Sequence, residues 1–217
     1  MSAELIEIAE LVTSWSGSDE QVEAVVTSDR ETEVRAYEGE IESLTVAESQ
    51  GIGVRVIKDG RQGFAYAGTL EENELLEVLS EARDNASFAS PDEFSGLAVP
   101  DGVESVSLDV YSDGVDSLAT SKKIDYALEL ESLTLATDKR ISGIESSEYT
   151  DVVSESAIAT STGIRSYSKE SGCCLMVYAL AEEKGETQTG FGFSIGRNPE
   201  ELDVVKAASD ASDRATR

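Results

Sequence analysis

Hydrophobic and polar residues follow two periods along this chain, one typical of helices and one of strands. Apolar side chains at helical spacing predict a first helix over residues 3–15, with Leu5, Ile8, Val12 and Trp15 on one face. Strand-like alternation follows in five runs, 21–28, 32–37, 41–48, 53–58 and 61–67. Asp59-Gly60 joins the last two runs and predicts a type I′ hairpin, because that turn needs positive φ at both central residues.

A second helix is predicted from the capping box Thr69-Leu-Glu-Glu72. Its apolar face contains Leu75, Leu79, Ala82 and Ala86. The first unit is expected to end near Ser90. Residues 91–112 contain prolines, glycines and short polar residues, which is typical of a linker with one short extended piece.

The second half of the chain repeats this order of helix, strands and helix. A helix is predicted over 115–138, with an apolar face of Ile124, Ala127, Leu128 and Leu135. Five strand-like runs follow, 144–153, 156–161, 163–168, 173–181 and 187–193. Asn198-Pro199-Glu200-Glu201 predicts the start of a last helix, which continues through Val204, Ala208, Ala211 and Ala215.

These patterns predict an α+β fold of two units, each with a mostly antiparallel sheet and flanking helices. We place one domain at 1–90, a linker at 91–112 and a second domain at 113–217. Residues 49–68 loosely echo 161–192, which either reflects internal duplication or the general likeness of mixed α+β domains. The chain reaches Arg217 within the last predicted helix, with no capping glycine or proline, so a further C-terminal domain is expected.

Acidic residues outnumber basic ones, 44 to 17, which gives a net charge of -27. Such a charge repels nucleic acids and anionic membranes. The acids are spread through every segment, which favours a solvated, salt-tolerant surface; DNA mimicry is the alternative. No apolar run is long enough to span a membrane. An acidic N-terminus unlike a signal peptide, and the adjacent Cys173 and Cys174, indicate a reducing cytoplasm.

Histidine is absent from the chain. This excludes Ser-His-Asp and Cys-His catalysis here, and every zinc site that uses imidazole. Two cysteines cannot form a four-cysteine zinc site either. We therefore assign no catalytic, metal or cofactor-binding residue, and the substrate-binding residues stay unknown.

Two glycine-rich stretches could suggest nucleotide loops, Gly51-Ile-Gly53 and Gly190-Phe-Gly192-Phe-Ser-Ile-Gly196. The first leads into a hairpin, and the strand of the second belongs to an antiparallel-looking set. A dinucleotide site needs a strand, turn and helix in a parallel unit. Bulges and close strand packing therefore explain these glycines better.

Three further groups of residues have a structural explanation that competes with a functional one. Cys173 and Cys174 lack a nearby basic residue and are interpreted as buried structural cysteines. Glu38, Glu40 and Glu42 alternate on one strand region and could bind a cation, but such a triplet is expected by chance in so acidic a chain. Neighbours in sequence point apart, so neither Ser121-Lys122 nor Ser168-Lys169 is interpreted as a Ser-Lys dyad.

Three runs in the first half resemble the opening region of the TldD/PmbA family. They are Arg35-Ala-Tyr-Glu-Gly-Glu-Ile-Glu-Ser-Leu44, Gln50-Gly-Ile-Gly-Val-Arg-Val-Ile57 and Gln62-Gly-Phe-Ala-Tyr-Ala-Gly-Thr69. Pro91-Asp-Glu-Phe-Ser-Gly-Leu97 is similar to the PmbA (TldE) branch. The second half agrees through Lys122-Lys-Ile-Asp-Tyr-Ala-Leu-Glu-Leu-Glu131, Asp138-Lys-Arg-Ile141 and Ala159-Thr-Ser-Thr-Gly-Ile164. The resemblance covers essentially the whole chain.

The resemblance implies a role in proteolysis. Family members form a cytoplasmic TldD–TldE zinc metallopeptidase that trims unfolded or small peptides, including modified-peptide antibiotic precursors and antitoxins, and they are also called modulators of DNA gyrase. The zinc-binding His-Glu-x-x-x-His helix belongs to the TldD partner, beyond the region represented here. No catalytic or metal residue can therefore be carried over to any position of this chain.

The expected function is that of a non-catalytic scaffold, dimer-contact and peptide-guiding region in a PmbA/TldE-like subunit. Zinc is expected in a TldD-type partner or in a C-terminal domain, and the subunit is expected to form a heterodimer or a homodimer. Two alternatives stay open. One is the front part of a catalytic TldD-type subunit whose zinc site follows residue 217. The other is an acidic, DNA-mimicking modulator of DNA gyrase.

Overall fold

The computed structural model describes residues 2–103, 106 and 108–217. Within them, five α-helices accompany one antiparallel sheet of six strands in the order β3-β2-β1-β4-β5-β6. The helices are α1 (Ser2–Ser14), α2 (Glu72–Phe88), α3 (Asp113–Ser117), α4 (Thr120–Thr137) and α5 (Val204–Ala215). The strands are β1 (Gln21–Tyr37), β2 (Glu40–Lys58), β3 (Arg61–Ala67), β4 (Ile141–Thr160), β5 (Arg165–Glu183) and β6 (Glu186–Gly196). The predicted α+β class is confirmed.

Four strands are longer than the sequence predicted, because polar stretches were interpreted as breaks. β1 continues through Asp29-Arg30-Glu31, and β2 continues through residues 49–52. β4 and β5 likewise each join two of the predicted runs. In β2, residues 42–50 are exposed on both faces. The period-two pattern fades there because neither face is buried, while the strand itself continues.

Tight turns join the strands of three hairpins. Asp59 and Gly60 have φ of 51° and 70°, and Lys58 pairs with Arg61, so the predicted type I′ turn is confirmed. The turns at 38–39 and 184–185 also have positive φ at both residues. A glycine at the second position of each turn adopts this conformation without a Cβ penalty.

The first compact unit comprises Met1–Asp29, Glu48–Asp109 and Ser154–Lys169. Its core lies between α1, α2 and the inner face of the strands, with Val12, Val22, Val54 and Leu79 almost fully buried. The predicted apolar face of α2 is buried. The capping box is wrong, because α2 begins only at Glu72 and the Thr69 hydroxyl accepts a bond from the Glu71 amide instead.

The second compact unit comprises Arg30–Ala47, Val110–Val153 and Glu170–Arg217. The single helix predicted over 115–138 is wrong, since Leu118 and Ala119 are extended and separate α3 from α4. The predicted face of α4 is also partly wrong. Ala127 is buried but Leu135 is 43% exposed, and the other buried residues of α4 are Lys123, Leu130, Glu131 and Thr134.

The last predicted helix is divided in the same unit. Asn198 begins a 3₁₀ turn at Pro199–Glu201, and its side chain accepts a bond from the Glu200 amide. Asp203 then caps α5, accepting from the Lys206 amide, which makes the helix start several residues later than predicted. Among the described residues, no helix combines the length and apolar character needed to cross a membrane. The division at 1–90, 91–112 and 113–217 stays a prediction.

Arg140 links the turn before β4 to the end of α5 and lowers the pKa of Asp138. The Asp138 carboxylate accepts three bonds from Arg140, at 2.8, 2.8 and 3.1 Å, and Arg140 also donates to the Thr216 carbonyl at 2.8 Å. These hydrogen bonds lower the pKa of Asp138 from 3.8 to about 2.

A pH titration of the Asp138 carboxyl carbon by NMR should therefore show a midpoint near 2. Because the pKa is lower in the folded state, this interaction stabilises the fold above pH 3.8 and is lost as the pH falls towards 2. Arg140→Gln should return the midpoint towards 3.8. An unchanged midpoint in that variant would show that Arg140 is not the cause.

Candidate functional site

A glycine beneath a helix and an exposed phenylalanine alternate on β3 in the first unit. At Gly63, a Cβ atom would overlap the carbonyl oxygen of Ala82 and lie 2.8 Å from the Cα atom of Ala86, so only glycine lets α2 approach this closely. Side chains alternate between the faces of a strand, so Phe64 lies on the opposite face. It is 56% exposed. The Asn85 side chain of α2 donates to the Phe64 carbonyl at 2.8 Å.

The same arrangement occurs on β6 in the second unit. A Cβ atom at Gly190 would overlap the Ala211 carbonyl oxygen and lie 2.9 Å from the Cα atom of Ala215 in α5. Phe191 lies on the opposite face of the strand. The Arg214 guanidinium donates to the Phe191 carbonyl and lies over the Phe191 ring, 5.4 Å from its centroid.

The two edge strands therefore share one packing motif, residue by residue. In both units, two alanines four positions apart flank the glycine, and the residue before the second alanine caps the phenylalanine carbonyl. The matched residues are Gly63 with Gly190, Phe64 with Phe191, Ala82 with Ala211, Asn85 with Arg214, and Ala86 with Ala215. This correspondence favours internal duplication over a general likeness of α+β domains.

The outer face of β5 and β6 has apolar side chains close to solvent. Tyr178 stacks on Phe191 and Phe191 stacks on Phe193, each with ring centroids 5.3 Å apart. Phe193 is 40% and Ile195 67% exposed. We call Tyr178, Phe191, Phe193 and Ile195 the aromatic face. Exposed apolar groups of this kind often mark an interaction surface.

Edge strands add a second binding property to such a face. β3 and β6 end the sheet, so one side of each strand lacks a neighbouring strand among the described residues. The backbone groups on that side can pair with an extended chain, while apolar side chains nearby contact its side chains. The arrangement can therefore bind extended polypeptide.

A buried ionic cluster lies under α4 in the second unit. The Lys123 ammonium contacts the Asp151 carboxylate at 2.5 Å and donates to the Thr32 hydroxyl at 3.0 Å. The Tyr149 hydroxyl donates to the same carboxylate at 2.9 Å. Burial raises the pKa of Tyr149, and the neighbouring Asp151 charge raises it further. Because every charged group in the cluster has a partner, we interpret the cluster as a rigid structural element of the second unit.

The glycines considered as nucleotide loops lie in packing contacts, which are with a strand, as predicted, at Gly51 but with a helix at Gly190 and Gly192. A Cβ atom at Gly51 would lie 2.9 Å from the Ala67 carbonyl oxygen on β3, and Gly53 lies beneath the Phe64 ring. In the second stretch, Gly190 and Gly192 lie against the backbone of α5. Close approach of backbones therefore accounts for Gly51, Gly190 and Gly192.

The cysteines are free thiols with raised pKa values. Cys173 is buried, and burial raises its pKa to about 12. Cys174 is only half-buried, and burial raises its pKa as well. Both thiols are therefore protonated at neutral pH, which makes them poor nucleophiles and poor metal ligands.

The structure separates the other candidate residues. Glu38 has a φ of 53° and lies in the turn between β1 and β2, so its expected alternation with Glu40 and Glu42 along one strand is wrong. Glu42 pairs with Arg35 at 2.6 Å. In the two Ser-Lys pairs that were not interpreted as dyads, Lys122 binds Asp125 and Lys169 binds Glu155.

Zinc does not fit the side chains that this chain presents. Among the described residues, no group of three or more acidic, cysteine or histidine side chains is arranged to hold a metal ion. The chain has no histidine, and its two thiols are adjacent with raised pKa values. We therefore derive no chemical step through a metal bound to these residues.

Sequence reasoning missed the capping residues Asn85 and Arg214 and the buried cluster around Lys123. A signal for the first two was present, since Gly-Phe pairs occur at 63–64 and 190–191 and Ala-x-x-x-Ala occurs in both helices. The ionic cluster around Lys123 had no comparable sequence signal, because Lys123 lies in a stretch whose pattern is typical of the solvated start of a helix.

Fold and site together define an α+β protein in which each unit packs helices on one face of its strands and exposes apolar side chains on the other face. The chain belongs to the PmbA/TldD metallopeptidase family. Residues 22–86 match the family's PmbA/TldA metallopeptidase domain 1, and residues 113–217 match its PmbA/TldA metallopeptidase central domain.

Similar proteins agree with this assignment. The metalloprotease PmbA of Escherichia coli O157:H7 is 23% identical over 189 residues, which are 86% of this chain and 42% of that protein. TldE from Thermococcus kodakarensis shares the fold with a TM-score of 0.79 at 18% identity, over 98% of this chain and 46% of that one. A candidate DNA gyrase modulator from Bacteroides thetaiotaomicron has a TM-score of 0.86 at 19% identity, over 96% of this chain and 48% of that one. This chain thus spans less than half the length of these relatives.

Proposed function

We propose that this chain is the scaffold, partner-contact and peptide-guiding part of a PmbA/TldE-like subunit in a cytoplasmic TldD–TldE zinc metallopeptidase. The observation that carries the proposal is the match of two metallopeptidase domains to a chain that has no histidine. A histidine-ligated zinc site must then be supplied by the partner subunit or by another part of the protein.

The open sheet faces support the guiding role. A protease of unfolded peptides must hold many sequences, and backbone pairing with an edge strand is tolerant of sequence. In the second unit, the edge strand β6 and the aromatic face lie together. In the first unit, Phe64 and Tyr66 lie on the outer face of the edge strand β3, 56% and 84% exposed.

Co-purification tests the proposal. The subunit, extended to the length of its relatives, is expressed alone and together with a TldD-type partner, and zinc content and peptide cleavage are measured in each preparation. We expect zinc and cleavage only when the partner is present. A partner carrying a substitution in its His-Glu-x-x-x-His helix is the matched control and should lose both. Zinc and cleavage in this subunit alone would instead establish the catalytic TldD-type alternative.

A second candidate is the DNA-mimicking modulator of DNA gyrase. It is favoured by the similarity to the candidate DNA gyrase modulator from Bacteroides thetaiotaomicron and by the net charge of -27. It requires this chain to bind gyrase without a partner subunit, through contacts that weaken steeply as salt rises. Binding that is absent at low salt would exclude it.

A further inference from the structure

Arg214 covers the free edge of β6. Its helix, α5, packs on the glycine face of the strand, whereas the Phe191 ring lies on the opposite face. The guanidinium nevertheless lies over that ring and donates to the Phe191 carbonyl. The Arg214 side chain must therefore pass around the edge of the sheet, at the position where a further strand would pair.

The backbone of β6 shows which outward-facing amide and carbonyl groups Arg214 covers and which it leaves exposed. The Gly196 carbonyl accepts a bond from the Cys173 thiol of β5, at 3.4 Å, so Gly196 faces the neighbouring strand. Groups alternate in direction along a strand, so Phe191, Phe193 and Ile195 direct their amides and carbonyls outward. Arg214 caps one of these three positions.

The side chains beside the edge of β6 determine which ligand could bind there. Alternate residues of an added strand would lie next to Phe191, Phe193 and Ile195, because same-face neighbours on adjacent strands are in contact. These three side chains are apolar and partly or largely exposed. The net charge of -27 disfavours an acidic ligand. The edge therefore fits a neutral or basic extended segment with apolar side chains at every second position.

The equivalent edge in the first unit is more firmly closed. Asn85 is short and holds the Phe64 carbonyl at 2.8 Å. The segment after α2 also covers the start of β3, where the Asp92 amide donates to the Gly60 carbonyl at 2.8 Å and Arg61 donates to the Ala89 carbonyl. Arg214, by contrast, has a long side chain that is 41% exposed, and its ion pair with Asp210 is 3.9 Å long.

We propose that the edge of β6 is a docking site for one extended peptide strand with apolar residues at alternate positions, and that Arg214 closes the site until the peptide displaces it. The inference rests on the proposed function, since it assigns the peptide-guiding role to one strand edge. In its closed state, Arg214 also protects the edge against pairing with a second copy.

Binding of a synthetic peptide tests this assignment. The probe is a short, acetylated and amidated peptide that alternates valine with serine between terminal lysines, with a fluorophore for anisotropy. Arg214→Ala should bind it about tenfold more tightly than the unmodified chain, because no charge-assisted bond has to be broken. Arg214→Met, which keeps an unbranched apolar stem but has no guanidinium, should behave likewise if the alanine variant disturbs α5.

Two matched controls separate edge pairing from simpler effects. Lys206→Ala removes a positive charge from the same helix and leaves Phe191 capped, so it should bind as the unmodified chain does. The same peptide with an N-methyl group on every residue keeps its side chains but cannot donate backbone hydrogen bonds from either edge, and it should not bind. Peptide binding should also slow amide hydrogen exchange at Phe193 and Ile195.

Three outcomes would overturn the inference: equal binding of the N-methylated peptide, equal enhancement by Lys206→Ala, or dimerisation of Arg214→Ala without peptide binding. The last would make a second copy the occupant. None of these would alter zinc content or co-purification with the partner, so a failure here is distinguishable from a failure of the proposed function.

Discussion

Gly192→Ala is expected to lower the free energy of unfolding by about 3 kcal/mol, at the upper end of the usual cost of overpacking. The new Cβ atom would overlap the Ala207 carbonyl oxygen and lie 2.8 Å from the Ala211 amide nitrogen. These are backbone atoms of α5, so relief requires the whole helix to move away from β6. For a chain of this size, the thermal midpoint should fall by roughly 6–12 °C.

Gly172→Ala is the matched control for this prediction. Gly172 lies on the neighbouring strand β5, and its closest contact for a new Cβ is the Val152 side chain at 3.8 Å, an ordinary van der Waals distance. The thermal midpoint of this variant should stay close to that of the unmodified chain. An equal fall in the thermal midpoint of both variants would mean that stability depends on glycine itself at these positions and not on the contact with α5.

The class of fold could be predicted because its signals are local. The face of α2 and the Asp59-Gly60 turn depend on residues close together in sequence, and both were predicted correctly. Strand ends were not predictable in the same way. Asp29-Arg30-Glu31 reads as a turn, yet β1 continues through it, because strand pairing does not require alternating burial.

The candidate site depends on contacts between distant residues, which explains why little of it was predicted. Gly190 could be assigned to close packing, but its packing partner is the backbone of α5, a separate helix later in the chain. The roles of Asn85 and Arg214 follow only from where their helices place them. Family resemblance predicted the fold and the class of activity, but no residue of this surface.

The face of α4 illustrates a different limit. Hydrophobic periodicity placed Leu135 on the buried face and did not include Lys123 there, whereas Leu135 is 43% exposed and Lys123 is 8% exposed. A lysine can be buried when an anion and hydrogen-bond acceptors are already in place. Those partners, Asp151 and Thr32, come from two other strands, so no local pattern could reveal them.

Asp151→Ala should cost about 3–5 kcal/mol of stability, because it leaves the Lys123 ammonium buried without its counter-charge. Both residues of the pair are at most 8% exposed. The Tyr149 hydroxyl would lose its acceptor as well. The free energy of unfolding, measured by urea titration at neutral pH, should show this loss against the unmodified chain.

The double variant Lys123→Met, Asp151→Leu separates the penalty of an unpaired charge from the value of the pair itself. Replacing both charges removes the desolvation cost, so the double variant should be more stable than Asp151→Ala alone and its loss well below the sum of the single losses. Thr32 and Tyr149 still lose partners, so a residual cost of about 1–3 kcal/mol is expected. Lys122→Met, one residue away, breaks an exposed pair with Asp125 and should change stability by less than about 1 kcal/mol. Additive losses at Lys123 and Asp151 would show that the two charges do not stabilise each other across the interior of the second unit.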